Sequence, residues 1–181
     1  DRLRISVTER TVDSIVVMSA GNVAWCLGDG NVWIEPLSLS PGENESFSEA
    51  ALRKAQEMGA LLITDVPSTV SPVAGSVATD ETLKAVEAYR EQFGPGLSSQ
   101  IVSYNASTLD SISCTLSSGV EVSLGAATSI EAKESVITEI LAKYSGKVTY
   151  INVRVPSKPS YRMVNSDNVQ QGSGTAGTEY S

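Results

Sequence analysis

A chain of 181 residues with 41% hydrophobic content has the size and apolar content of one folded domain. Its formal net charge of −8 excludes nucleic acid and anionic membrane surfaces as principal partners, because both call for basic patches. The chain has no histidine, which removes Ser-His-Asp and Cys-His catalysis and the commonest zinc ligand.

In chain order, Leu3, Ile5 and Val7 alternate with polar neighbours and predict a half-buried first strand. Ser14–Met18 and Asn22–Leu27 read as two short strands around Ala20-Gly21, and Gly28-Asp29-Gly30 turns the chain into a third, Asn31–Glu35. The G-D-G-N run lacks the alternating oxygen ligands and the closing glutamate of a calcium loop, so it reads as a plain turn. Trp25 and Trp33 read as packed strand aromatics, with sugar stacking as the alternative. Cys26 and Cys114 are too few and too far apart for a metal cluster; they read as small apolar core residues, with one bridge or a reactive thiol as the alternative.

Leu37–Glu45 has the composition of a surface loop. Ser46 and Glu49 carry capping-box spacing and open a helix with Leu52, Ala55 and Met58 inward, ended by Gly59. Leu61–Ile63 is a short apolar run, and Asp65–Val77, with Pro67, Pro72 and Gly75, predicts an irregular crossing. Thr79 or Asp80 caps a second helix, Glu81–Phe93, which presents Leu83, Val86, Tyr89, Arg90 and Phe93 near one face and stops at Gly94-Pro95-Gly96. Ile101–Asn105 returns as a strand.

Ser111–Val155 carries the densest signals. Ile112, Cys114 and Leu116, then Val120, Val122 and Leu124, alternate with polar residues around Ser117-Ser118-Gly119, the pattern of a hairpin. Thr128 and Glu131 predict a capping box for a helix reaching Tyr144, with Val136, Ile137, Ile140, Leu141 and Tyr144 as its apolar stripe. Val148–Val153 is a strand closed by Pro156. Ser160–Val164 follows Pro159 and predicts a last strand at a sheet edge. The fold class is therefore α+β: an extended, mostly antiparallel sheet with helices packed against it, none linking parallel strands in a regular βαβ series. Residues 1–164 form the domain, and 165–181 read as a polar, glycine-rich tail.

The run L-x-S-G-x-E-V-x-L-G, a helix bearing Lys133, and Y-I-N-V-R-V-P resemble the C-terminal half of the FtsQ/DivIB bacterial cell-division family, whose last motif has an acidic residue where this chain has Asn152. L-R-I-S-V-T-E-R resembles that family's junction between its POTRA module and its β domain. The resemblance implies the β domain alone. It implies a non-catalytic scaffold of the divisome on the extracytoplasmic face of the cell membrane, binding FtsB/DivIC-type and FtsL-type partners to support septum formation. The family has one transmembrane helix. No apolar run here approaches the roughly 20 residues of a span, and the chain begins at Asp1, so the anchor is expected upstream.

By the resemblance, the FtsB/DivIC-type partner docks by strand addition at the C-terminal edge, with contacts at Arg154, Val155, Tyr161, Arg162 and Met163. The two arginines would steer an acidic segment, and Tyr161 would act as an aromatic anchor. The alternative is an extracytoplasmic domain that binds or hydrolyses carbohydrate or peptidoglycan. Catalysis would then fall to paired acids such as Glu131/Glu134 or Glu43/Glu45, or to Ser129 and Lys133; solvated acids, a capping serine and a surface lysine are the plainer readings. No catalytic, metal or cofactor residue is assigned.

Overall fold

Ile15, Val16, Val17 and Met18 are consecutive apolar residues, and a strand that buries all four must be covered on both faces. That requirement organises one half of the molecule. The computed structural model describes residues 11–67, 71–164 and 169–171; the strand expected at Leu3–Val7 lies outside them.

The elements in order are β1 (Val12–Met18), β2 (Ala24–Gly28), β3 (Val32–Leu37), α1 (Phe47–Met58), β4 (Leu61–Val66), α2 (Glu81–Gln92), α3 (Pro95–Ser98) and β5 (Ile101–Asn105). They continue with β6 (Ser113–Leu116), β7 (Glu121–Ser123), α4 (Ile130–Lys143), β8 (Val148–Asn152), β9 (Ser160–Met163) and β10 (Val169–Gln171). The strands make one sheet in the order β10-β9-β8-β7-β6-β5-β4-β1-β2-β3. Antiparallel pairs predominate, so the expected α+β class and mostly antiparallel sheet are what the chain forms, with three parallel pairs among the described strands.

One topological expectation fails. Helices do link parallel neighbours: α2 and α3 join β4 to β5, and α4 joins β7 to β8. Strand β1 also pairs with β4 in parallel. A helix that packs back along the sheet returns the chain to the end where the first strand began, so the next strand must run the same way.

Two cores follow from the two covered faces. On one face α2 and α4 pack on β1 and on β4 to β9, through Val16, Leu83, Val86, Tyr89, Tyr104, Ile137, Ile140 and their neighbours. On the other, α1 covers only the β1, β2 and β4 end, where Ala51 and Ala55 meet Ile15, Val17 and Leu62. Alanines here let the helix approach the strands closely. Beyond that helix the second face carries Ser103, Ser113, Thr115, Ser123 and Tyr150, which explains why β5 to β9 alternate apolar and polar while β1 does not.

The caps are local chemistry. Ser46 and Glu49 form the expected capping box, each backbone N–H donating to the other's side chain at 3.0 and 3.1 Å, and Gly59 closes α1 in the left-handed conformation. Met58, expected inward, is exposed; Ala50 and Ala51 take the inward positions instead. Asp80 caps α2 by accepting the Thr82 and Leu83 amides. The Thr128–Glu131 capping box does not form: α4 starts at Ile130, after Ser129 with φ 51° and no side-chain cap. A cap bond is made from extended backbone, and the left-handed turn that brings Ile130 into the core removes Ser129 from that geometry.

The outer strands are covered unequally. At β3 the segment after Pro72 lays backbone bonds on the strand, Trp33 N–H donating to Ser76 O and Gly75 N–H to Trp33 O. At the other end β9 is not an edge, because β10 pairs with it antiparallel. Three residues of the expected tail thus belong to the sheet. Backbone amides need no particular side chain to pair, so a polar V-Q-Q segment serves.

Candidate functional site

The C-terminal end of the sheet is built from the ends of β7 and β8 and the segments that follow them. Asn152 closes β8, and its side-chain oxygen accepts the Arg154 N–H at 3.0 Å. This bond needs only a carbonyl-type oxygen, so asparagine forms the turn that an aspartate would form. Arg154 then lies against Gly125, whose φ is +72°; a methyl group there would sit 3.2 Å from Arg154 Cγ. Among the described residues the Arg154 guanidinium has no hydrogen bond or ion pair, so its stem packing alone positions it.

Around Arg154 lies an open cleft of about 530 Å³, lined by Asp110, Gly125, Ala126, Asn152, Val155 and Lys158 among others. Two cations face one carboxylate here, on a chain that is acidic as a whole. Val155 is 54% exposed beside them. No sequence signal marks Lys158 or Asp110. Both sit in connecting segments with no periodicity, and only the return of the chain brings them to the cleft.

Of the five residues expected at the docking surface, Arg154 and Val155 lie in the bend after β8, and Tyr161, Arg162 and Met163 alternate along β9. Arg154, Val155 and Arg162 are exposed. Arg162 lies over the Tyr150 ring at 5.4 Å, an exposed cation–π contact. Tyr161 and Met163 point the other way, into the core. Tyr161 is 0% exposed, stacks on Tyr144 at 4.9 Å and meets its hydroxyl at 2.9 Å. It therefore anchors the fold and is not available as an aromatic anchor for a partner. The backbone of β9 is also engaged on both sides, by β8 and by β10. The outer strand at this end, among the described residues, is β10.

A serine–lysine arrangement is not assembled. Ser129 is exposed, whereas Lys133 is buried at 1% exposure, against the surface lysine expected. Its Nζ donates to Ala126 O at 2.6 Å and to the Tyr89 hydroxyl at 3.0 Å. Burial holds the Lys133 ammonium below its usual pKa and pushes the Tyr89 phenol up. The signal is in the sequence: Lys133 is three residues after Ile130 and four before Ile137, inside the apolar stripe.

The other chemical candidates have structural partners. Glu134 accepts the Gly94 N–H at 2.7 Å, while Glu131 is exposed. Glu45 pairs with Arg53, and that hydrogen bond lowers its carboxyl to about 2. Trp33 is buried and meets Trp25 edge-on at 5.9 Å, so the two rings form no exposed platform. Cys26 and Cys114 are both free and buried, as core residues, with burial raising the Cys114 thiol to about 12.

A second polar cleft, about 320 Å³, opens between α2 and the β1 and β5 strands. Arg90 forks onto Asp13 at 2.6 and 3.1 Å, and Asn31 donates to Glu87 at 2.8 Å. Among the described residues no group of acids or cysteines is placed to hold a metal ion.

No protein-family model, curated protein or solved structure matches this chain.

Proposed function

We propose that this chain is the β domain of an FtsQ/DivIB-type protein, a non-catalytic extracytoplasmic scaffold of the bacterial divisome. In that role it binds FtsB/DivIC-type and FtsL-type partners and is anchored by a transmembrane helix upstream. The observation that carries the reading is the continuity of the resemblance with one structural unit. L-x-S-G-x-E-V-x-L-G folds as β6 and β7, the lysine-bearing helix is α4, and Y-I-N-V-R-V-P is β8 with the exposed Arg154 and Val155.

The docking surface is revised accordingly. The partner strand adds at the outer side of β10, and Arg154, Lys158 and Arg162 favour an acidic segment beside it. Tyr161 and Met163 hold β9 in place beneath.

Titration of the cognate FtsB/DivIC-type segment tests this. Charge reversal at Arg154 (R154E) should weaken binding by about tenfold or more, within the range for a charge pair in an interface. Proline at Val169 and, separately, at Gln170 should abolish strand addition in one of the two, since alternate amides face outward. If all three variants keep the parent's circular dichroism and bind as tightly as the parent, the reading is wrong.

A further inference from the structure

Lysine is almost never fully buried unless its ammonium is engaged, because an unsatisfied charge in the interior costs far more than an apolar replacement. At position 133 an apolar residue would continue the buried stripe of Ile130, Ile137 and Ile140. What the lysine adds is a set of donors, and they are spent on one loop. The carbonyl oxygens of Leu124, Gly125 and Ala126 converge on the Tyr89 hydroxyl at 3.1, 3.0 and 2.6 Å, and Lys133 Nζ donates to that hydroxyl and to Ala126 O. A hydroxyl has one hydrogen to give. The Lys133 ammonium and the Thr128 N–H both donate to Ala126 O, and the ammonium also donates to the hydroxyl oxygen on which the three carbonyls converge.

The same loop is the floor of the Arg154 cleft. Gly125 and Ala126 line it, and Arg154 packs its stem on Gly125, where a methyl group would press on Arg154 Cγ at 3.2 Å. The Gly125 amide is held by Ile112 O at 2.8 Å, so the loop is tied both to the residue before β6 and to the buried pair.

We propose that Lys133 is a positioning residue for Arg154: its buried ammonium, with the Tyr89 hydroxyl, sets the 124–126 loop on which the Arg154 side chain rests. The consequence for partner affinity rests on the docking surface proposed above; the positioning itself does not.

The test is Lys133→Met, which keeps the apolar stem and removes the donors. Two readouts need no partner. Amide exchange at Gly125 and Thr128, both bonded within or across this loop, should accelerate about tenfold relative to Val122 in β7, as expected for a local opening, and the Arg154 Nε resonance should shift. A lysine with only a general structural role would lower the melting temperature and leave these two readouts as in the parent; that result in a folded variant overturns the proposal. Should K133M fail to fold, Tyr89→Phe removes only the hydroxyl, and unchanged exchange at Gly125 and Thr128 in it overturns the proposal equally.

Titration then separates the two readings. K133M should weaken binding of the cognate FtsB/DivIC-type segment by about tenfold, a coupling of the usual size, and add nothing in an R154A background. If R154A binds like the parent while K133M releases Arg154, the docking surface is wrong and the positioning stands. If R154A abolishes binding and K133M changes neither exchange nor affinity, the positioning is wrong.

Discussion

The hydroxyls of Tyr144 and Tyr161 lie 2.9 Å apart, with the rings stacked at 4.9 Å, joining the end of α4 to β9 inside the core. Two phenols that satisfy each other can be buried without the penalty of an unpaired polar atom. Tyr161→Phe should therefore cost about 1 kcal/mol, and Tyr161→Ala about 3–5 kcal/mol, in urea unfolding. A small loss for alanine would mean that Tyr161 is not a core residue.

Ile140 is buried against the sheet while Glu131 faces solvent with no capping role. Ile140→Ala should cost about 2–5 kcal/mol and Glu131→Ala within about 0.5 kcal/mol. Comparable losses by equilibrium denaturation would show the helix face to be misassigned.

Ser14 Oγ is buried and has no hydrogen-bond partner among the described residues. Replacing it removes a desolvated hydroxyl and almost no volume. Ser14→Ala should leave stability unchanged or raise it by about 1 kcal/mol. A loss above that in the denaturation midpoint would point to a partner for the hydroxyl.

Two carboxylates act in opposite pH windows. Burial first, and Glu91 second, raise the Glu87 carboxyl above its ordinary value of 4.5. The folded chain then holds a proton that the unfolded chain has released, so this contribution is full below pH 4.5 and is lost as pH rises through the raised value. Glu45, lowered to about 2 by Arg53, contributes above pH 4.5 and loses that contribution as pH falls towards 2. Glu87→Gln should flatten the melting-temperature profile above pH 4.5 and leave the acid limb alone. An unchanged profile above that pH would show that Glu87 does not titrate there.

Gly125 has φ +72°, and any side chain there meets Arg154. Gly125→Ala should cost about 1–2 kcal/mol from the left-handed backbone alone and displace Arg154 besides. Gly119 also has positive φ but open space around it. Gly119→Ala should therefore destabilise to a similar degree without moving the Arg154 Nε resonance, and a matching shift in both variants would remove the contact with Arg154 as the cause.

The elements written in local chemistry are legible in the amino-acid sequence alone. Ser46 with Glu49, Asp80 and Gly59 act within one helical turn, and the alternation of Cys114/Leu116 and Tyr161/Met163 is a property of a strand with one covered face. Where interactions join residues far apart in the chain, tertiary structure decides. The place of Lys133 in the apolar stripe is local, but its partners are not: α2 brings the Tyr89 hydroxyl and the β7–α4 loop the Ala126 carbonyl to its ammonium, from 44 and 7 residues away. Ser160–Met163 is an inner strand because backbone groups of Val169–Gln171 pair with it, and backbone pairing leaves almost no mark on side-chain pattern. The docking surface illustrates both kinds: the exposure of Arg162 between Tyr161 and Met163 follows from the period of a strand, whereas the meeting of Arg154 and Lys158 with Asp110 in one cleft follows only from how the β8–β9 and β5–β6 connections come together.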